Sequence, residues 1–139
     1  MTTQYDIAIV GAGLVGQAIA AALSCSTKTS LRIALIDPAD LSEPAISAAV
    51  SDYDLRVSAL TAQSQAFLSR IGAWDKIPTQ VLSPYQRMHV WDAEGTGSVT
   101  FDAADLHVPA LGHIVENRQT LWALNRVTEA CDNIDRIHT

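Results

Sequence analysis

Positive charge is scarce in this chain of 139 residues: nine Lys and Arg stand against fifteen Asp and Glu, for a formal net charge of −6. A surface that neutralises nucleic-acid phosphates needs clustered cations, and these nine are scattered, so no nucleic-acid partner is expected. Cysteine is scarce too. Cys25 and Cys131 have no metal-ligand partners at useful spacing, so no metal site is expected, and two thiols fit a reducing, cytoplasmic compartment. Charged residues make up only 17% of the chain while 48% is apolar, a balance that excludes intrinsic disorder. Repeats, coiled-coil heptads and low-complexity tracts are missing. The length suits one domain with a real core rather than two. The first six residues, MTTQYD, hold no Lys or Arg, so the apolar run from Ile7 to Cys25 lacks the basic start of a secretory signal. "ALSC" at 22–25 differs from a lipoprotein cleavage box at Ala22, where a larger aliphatic is normal. Gln17, with Gly11 and Gly13 close together, argues against a membrane span in a stretch of barely sufficient length.

What the run does contain is a change of period. Ile7-Ala8-Ile9-Val10 is a short β-branched stretch, as in a strand buried on both faces of a parallel sheet. Leu14 to Leu23 is Ala-rich and strongly helix-forming. After polar "STKTS", the segment "LRIALID" at 31–37 is a second apolar strand ending in an acid. Strand, glycine turn, helix and strand make a βαβ unit. "PADLSEPAISAAVSDYD" reads as a loop. "LRVSALTAQSQAFLSRIGAW", 55–74, reads as one helix with Val57, Leu60, Phe67, Leu68 and Ile71 on its apolar face and Gly72 as its stop. "YQRMHVWDAEGTGSVTFDAA" alternates on both sides of Gly95 and Gly97 and reads as a β-hairpin. "GHIVEN" is a strand, "RQTLWALNRVTEAC" a helix, and "IDRIHT" a strand cut short.

Gly11, Gly13 and Gly16 stand in the spacing G-x-G-x-x-G directly after the first strand and at the opening of the helix. The first glycine permits the tight turn, the second lets backbone approach a pyrophosphate, and the third lets helix pack on strand. Free N–H groups and the positive end of the helix dipole then receive the phosphates. Asp37, at the end of the second strand, has the spacing of an acid that binds a ribose hydroxyl pair, and it would repel a 2′-phosphate. The pattern marks a dinucleotide site and leaves FAD and NAD both open.

"DLRVSALTAQSQAFLSRIGAWDKI", "MHVWDAEGTGSVTFDAAD" and "LGHIVENRQTLWAL" resemble the flavoprotein aromatic hydroxylases of ubiquinone biosynthesis, relatives of the para-hydroxybenzoate hydroxylase fold. The likeness runs from about Tyr5 to Leu124. It implies an α/β fold: a Rossmann-like FAD-binding βαβ unit with the start of an inserted antiparallel β substrate sheet, truncated. The expected layout is one incomplete FAD-binding domain over 1–139. In it, 1–75 holds the βαβ unit and following helix, 84–118 the hairpin and strand of the substrate sheet, and 119–139 a helix and tail. The resemblance further implies that NAD(P)H reduces bound FAD and that one atom of dioxygen passes to an electron-rich phenol ring, the hard chemistry belonging to the flavin. The substrate implied is a polyprenylated phenol, which would place the enzyme at the inner face of a membrane or in a biosynthetic complex. Self-association to a homo-oligomer is expected if an apolar face is left exposed.

Carried over by position, Gly11, Gly13 and Gly16 would hold the FAD pyrophosphate and Asp37 the adenosine ribose. Arg56 would stand near the flavin's phosphate and ribityl chain; the competing reading, a solvated residue at a helix start, is less favoured because a cation there is poorly placed for the helix dipole. Asn117, or Arg118 one residue on, would meet the flavin chain, while a simple helix cap by Asn117 is the competing reading. His89, His113 and the three Trp are expected to serve packing rather than catalysis. The family's later Asp-Gly segment and its Gly-Asp-Ala motif are missing from these residues, so the chain alone is not expected to hydroxylate a substrate. Two other readings stand beside this one: an NAD-binding Rossmann domain of a dehydrogenase, which would continue with further βα units, and a non-catalytic remnant that serves as a binding piece.

Overall fold

Three strands pair where the sequence places its apolar runs. In the computed structural model, which describes residues 4–26, 31–39, 41–46 and 53–139, Ile7–Val10 forms β1, Leu14–Ser24 forms α1 and Ile33–Ile36 forms β2. β1 and β2 pair in parallel, Ile7 opposite Ile33 and Val10 opposite Ile36. The other edge of β2 takes a strand from the far end of the chain, β8 (Ile134–Ile137), also in parallel. The order β1-β2-β8 makes β2 the central strand, and Ile33, Ala34 and Leu35 are buried accordingly. The tail strand expected from "IDRIHT" is therefore a structural member of the nucleotide-fold sheet.

The stretch expected as one helix over 55–74 is two elements. Val57–Thr61 is a strand, β3, and only Ala62–Arg70 is helical, as α2. β3 pairs antiparallel with β7 (Gly112–Glu116), whose other edge takes β4 (Ser83–Tyr85). The strand wins because the segment has a period of two, with Ser58 and Leu60 more buried and Val57, Ala59 and Thr61 exposed, and the ladder to β7 satisfies five residues of backbone at once. Thr61 marks the junction: its hydroxyl oxygen accepts from the Ser64 N–H at 3.3 Å, a helix N-cap. α2 ends as expected at Gly72, whose φ of +75° suits glycine. The Gly72 and Ala73 N–H groups bond back to Ser69 and Leu68 in a Schellman motif.

The hairpin is present as β5 (Arg87–Trp91) and β6 (Ser98–Asp102). It forms its own two-stranded sheet, whereas the expected block 84–118 placed it with the strand that follows. One face carries the Arg87–Asp102 ion pair at 2.7 Å and a hydrogen bond between His89 and Thr100. The other carries Met88, Val90, Val99 and Phe101, all exposed. The closing helix α3 runs Asn117–Glu129, starting two residues before the expected segment 119–139.

α1 and α3 pack together against the parallel sheet. Ala21, Leu68, Ile71, Leu124 and Val127 form one core cluster among the three helices, and Ala20, Ile33, Leu35 and Ile134 form a second between α1 and the sheet. Small residues on α1 let the helices approach closely. Gln17, apparently a flaw in an apolar run, is fully buried there. It accepts hydrogen bonds from the Thr128 hydroxyl (2.6 Å) and Arg136 Nη2 (3.1 Å) and donates to Asn125 (3.2 Å). A buried amide satisfied on both ends ties α1, α3 and β8 into one unit. A simple NAD-binding domain would continue after β2 with further parallel βα units; here the next strand enters an antiparallel sheet. The loop read at 38–54 and the break at "STKTS" fall partly outside the described residues.

Candidate dinucleotide site

The site begins at the end of β1. Gly11 has φ +100°, a conformation that L side chains rarely adopt, and its N–H donates to the Ile36 carbonyl at 2.8 Å. This turns the chain at once from strand to helix. A Cβ on Gly16 would lie 1.9 Å from the Gly11 carbonyl oxygen, so only glycine allows α1 to rest on the turn. Gly13, by contrast, has open space where its Cβ would be. α1 opens at Gly13 without a side-chain cap and with no acid in its first turn, so its leading N–H groups are left for an anion.

Asp37 reaches back to this turn. One carboxylate oxygen accepts from the Ala12 N–H at 2.7 Å and the other from the Ala39 N–H at 2.8 Å. Those bonds, the Ala12 one first, hold the Asp37 carboxyl below the ordinary aspartate range and keep it an anion. Each oxygen still has a lone pair for a hydroxyl donor. Asp37 lines a small cleft of about 120 Å3 together with Gly13, Leu35, Leu121, Arg136, Ile137 and His138.

Next to it lies a larger open groove of about 680 Å3, which shares Gly13 and Leu121 with the cleft. Gly11, Gly13, Gly16, Arg56, Asn117 and Arg118 all line it. Every residue singled out in the sequence thus stands on one of two adjoining cavities, and only Asp37 is confined to the smaller. Arg56 precedes β3 rather than starting a helix. It is exposed, and its guanidinium has no hydrogen-bond or ion-pair partner among the described residues. Asn117 is not the helix cap: Glu116 holds that position, and the Asn117 side chain accepts from the Ser58 hydroxyl of β3. Asn117 and Arg118 share the wall, so the one-residue ambiguity between them has no single winner.

Some residues of the site left no signal in the sequence. Leu121 looks like any apolar helix position, and Arg136, Ile137 and His138 reach the cleft only because β8 lies beside β2. His89 and His113 stay away from both cavities. His89 stacks on Trp91 with ring centroids 5.6 Å apart, and His113 meets Trp74 edge-on at 5.4 Å.

Curated sequences resemble the chain along most of its length. The chain is 41% identical over 126 residues to the 3-demethoxyubiquinol 3-hydroxylase of Escherichia coli K12, a match covering 88% of this chain and 30% of that protein. The mitochondrial ubiquinone biosynthesis monooxygenase COQ6 of Xenopus tropicalis is 37% identical over 125 residues, covering 90% of this chain and 26% of COQ6. Over about 90% of its length the chain is thus similar to ubiquinone-biosynthesis hydroxylases. It corresponds to the N-terminal portion of those proteins and spans about 30% of the length of the first relative. No family model matches it. Among solved structures, the p-nitrophenol 4-monooxygenase of Pseudomonas putida DLL-E4 superposes with a TM-score of 0.62 at 17% identity, over 98% of this chain and 31% of that one. The flavin-dependent monooxygenase PieE, solved with FAD and substrate, gives 0.62 at 11% identity, over 97% and 24%. These likenesses establish the fold: an α/β nucleotide unit joined to part of an antiparallel sheet, covering about a third of such a monooxygenase. No helix among the described residues is long and apolar enough to cross a membrane.

Proposed function

We propose that this chain is the FAD-binding portion of a flavin-dependent hydroxylase acting on a polyprenylated phenol of ubiquinone biosynthesis. The observation that carries the reading is the convergence of the glycine turn, Arg56, Asn117 and Arg118 on one groove, with Asp37 in the cleft adjoining it. The residues fit an extended dinucleotide. Gly16 admits no side chain, Gly13 leaves space for a pyrophosphate, and the uncapped start of α1 offers donors to it. The Asp37 carboxylate receives the ribose hydroxyl pair, and the small cleft flanked by Leu35, Leu121 and Ile137 takes the adenine. Arg56 and Arg118 lie beyond the turn and would pair with the flavin-side phosphate and ribityl chain. Bound there, FAD supplies two-electron transfer and the activation of dioxygen. NAD(P)H is the reductant proposed for the whole enzyme, and the apolar tail of its substrate argues for work at a membrane face. The hydroxylases named among the relatives support this assignment by sequence.

Titration of the purified chain with FAD, followed by flavin absorbance and fluorescence, tests the proposal. Saturable one-to-one binding with a structured, shifted flavin band is expected. Tight binding of NAD with free-flavin behaviour of FAD would overturn it.

A further inference from the structure

Two cations on the groove wall come from separate parts of the chain, and one buried acid links them. Glu116 ends β7, occupies the N-cap position of α3, and is only 7% exposed. A carboxylate that deep in a protein needs hydrogen-bonding and charged partners. Its Oε2 accepts from the Asp54 backbone N–H at 3.1 Å and is ion-paired with Arg118 Nε. Asp54 in turn accepts from the Arg56 N–H at 2.9 Å, and the Arg56 carbonyl accepts from the Asn117 N–H at 2.9 Å. The peptide bond from Asn117 back to Glu116 closes the ring. The loop that carries Arg56 and the helix start that carries Arg118 are therefore joined through this carboxylate and through the backbone hydrogen bond from Asn117 to Arg56 beside it. The positive end of α3 adds a favourable environment for that charge.

We propose that Glu116 is a positioning residue for the flavin side of the site, holding the Arg118 guanidinium and the 54–56 loop where a phosphate and ribityl chain can meet both cations. The inference rests on the FAD reading above. It also has a sign that plain electrostatics does not share. A negative charge beside an anion site weakens anion binding if it acts only through its field, so neutralising it should then tighten binding. If it acts by holding the cations in place, neutralising it weakens binding, because the cost of ordering those side chains is no longer met in advance.

The experiment compares the unaltered chain, Glu116→Gln and Arg118→Lys for affinity toward FAD and toward AMP, which carries only the adenosine half and one phosphate. Circular dichroism verifies that each variant is folded. With Glu116→Gln, FAD affinity is expected to fall by about tenfold or more, the loss of one charge-assisted hydrogen bond, while AMP affinity stays within about twofold. Arg118→Lys keeps the charge but loses the Nε donor, and it should show the same split even if the Glu116 variant does not fold. A rise or no change in FAD affinity for Glu116→Gln, or equal losses for FAD and AMP, would overturn the positioning role. So would unaltered FAD affinity in Arg118→Lys. Failure of the unaltered chain to bind FAD would instead bring down the parent reading, and this inference with it.

Discussion

Replacing Gly16 by alanine adds a single methyl group, and the structure says where it goes: 1.9 Å from the Gly11 carbonyl oxygen, 3.1 Å from its carbon and 3.4 Å from Ile9 Cγ2. The obstacle is backbone in a turn already held at φ +100° and bonded to Ile36, so it has no rotamer with which to move away. α1 must back off the turn by about 1 Å or more, and overpacking of that kind costs roughly 3 kcal/mol. For a chain of this size that corresponds to a fall in Tm of about 10 °C. Gly13→Ala supplies the contrast. Gly13 has φ −73°, which any residue adopts, and nothing lies within 4 Å of its added Cβ. The alanine variant should melt within about 3 °C of the parent, since reduced unfolded-state freedom gives back a few tenths of a kcal/mol. Its methyl nevertheless projects where a pyrophosphate would lie, so FAD affinity should fall by about tenfold or more, or 1.4 kcal/mol and upward. Thermal unfolding by circular dichroism and FAD titration on both variants separate the two roles. A Gly16→Ala variant that melts at the parent temperature would refute the close approach of helix and turn. A Gly13→Ala variant with full FAD affinity would refute the phosphate assignment.

Two further outcomes follow from side chains. The lowered folded-state pKa of Asp37 means that its anion stabilises the fold above the ordinary value near 4 and loses that contribution as pH falls through the lower folded value. The Asp37 contribution to stability should thus hold flat from pH 8 to about 5 and decline below about 4. Asp37→Asn should bind AMP more weakly and lose that acid limb; an unchanged pH profile would show that Asp37 is not the group being read. Gln17→Met removes the amide shared by Asn125, Thr128 and Arg136 and should cost about 2–4 kcal/mol in urea unfolding. A loss below about 0.5 kcal/mol would mean the network is dispensable.

Much of this was written locally. β1, α1 and β2 announce themselves because strand period, glycine turn and helix period follow each other without overlap. β3 was concealed because a five-residue strand runs directly into the cap of a nine-residue helix, and Val57, Leu60, Phe67 and Leu68 fit a helical face across the junction. The hydroxyl of Thr61, bonding the Ser64 N–H, was the available signal. β4 is only Ser83-Pro84-Tyr85, and its proline is tolerated because the strand lies at a sheet edge. For the site, Gly11, Gly13, Gly16 and Asp37 came from a motif with its own spacing and Arg56, Asn117 and Arg118 from the family resemblance, and all of them line the two cavities. Glu116, Leu121 and the 136–138 stretch could not be named, since their roles depend on which distant strand lies alongside.

That dependence has a consequence for how the molecule is made. β2 is the middle strand, yet its second partner arrives late: Arg32 and Asp135, which bond across that seam, are 103 residues apart. At ordinary synthesis rates of about 5–20 residues per second, the apolar edge of Ile33 and Leu35 waits roughly 5–20 s for its cover. The small cleft beside Asp37 is built on the same seam, and the wall made by Arg136, Ile137 and His138 is completed only when β8 arrives.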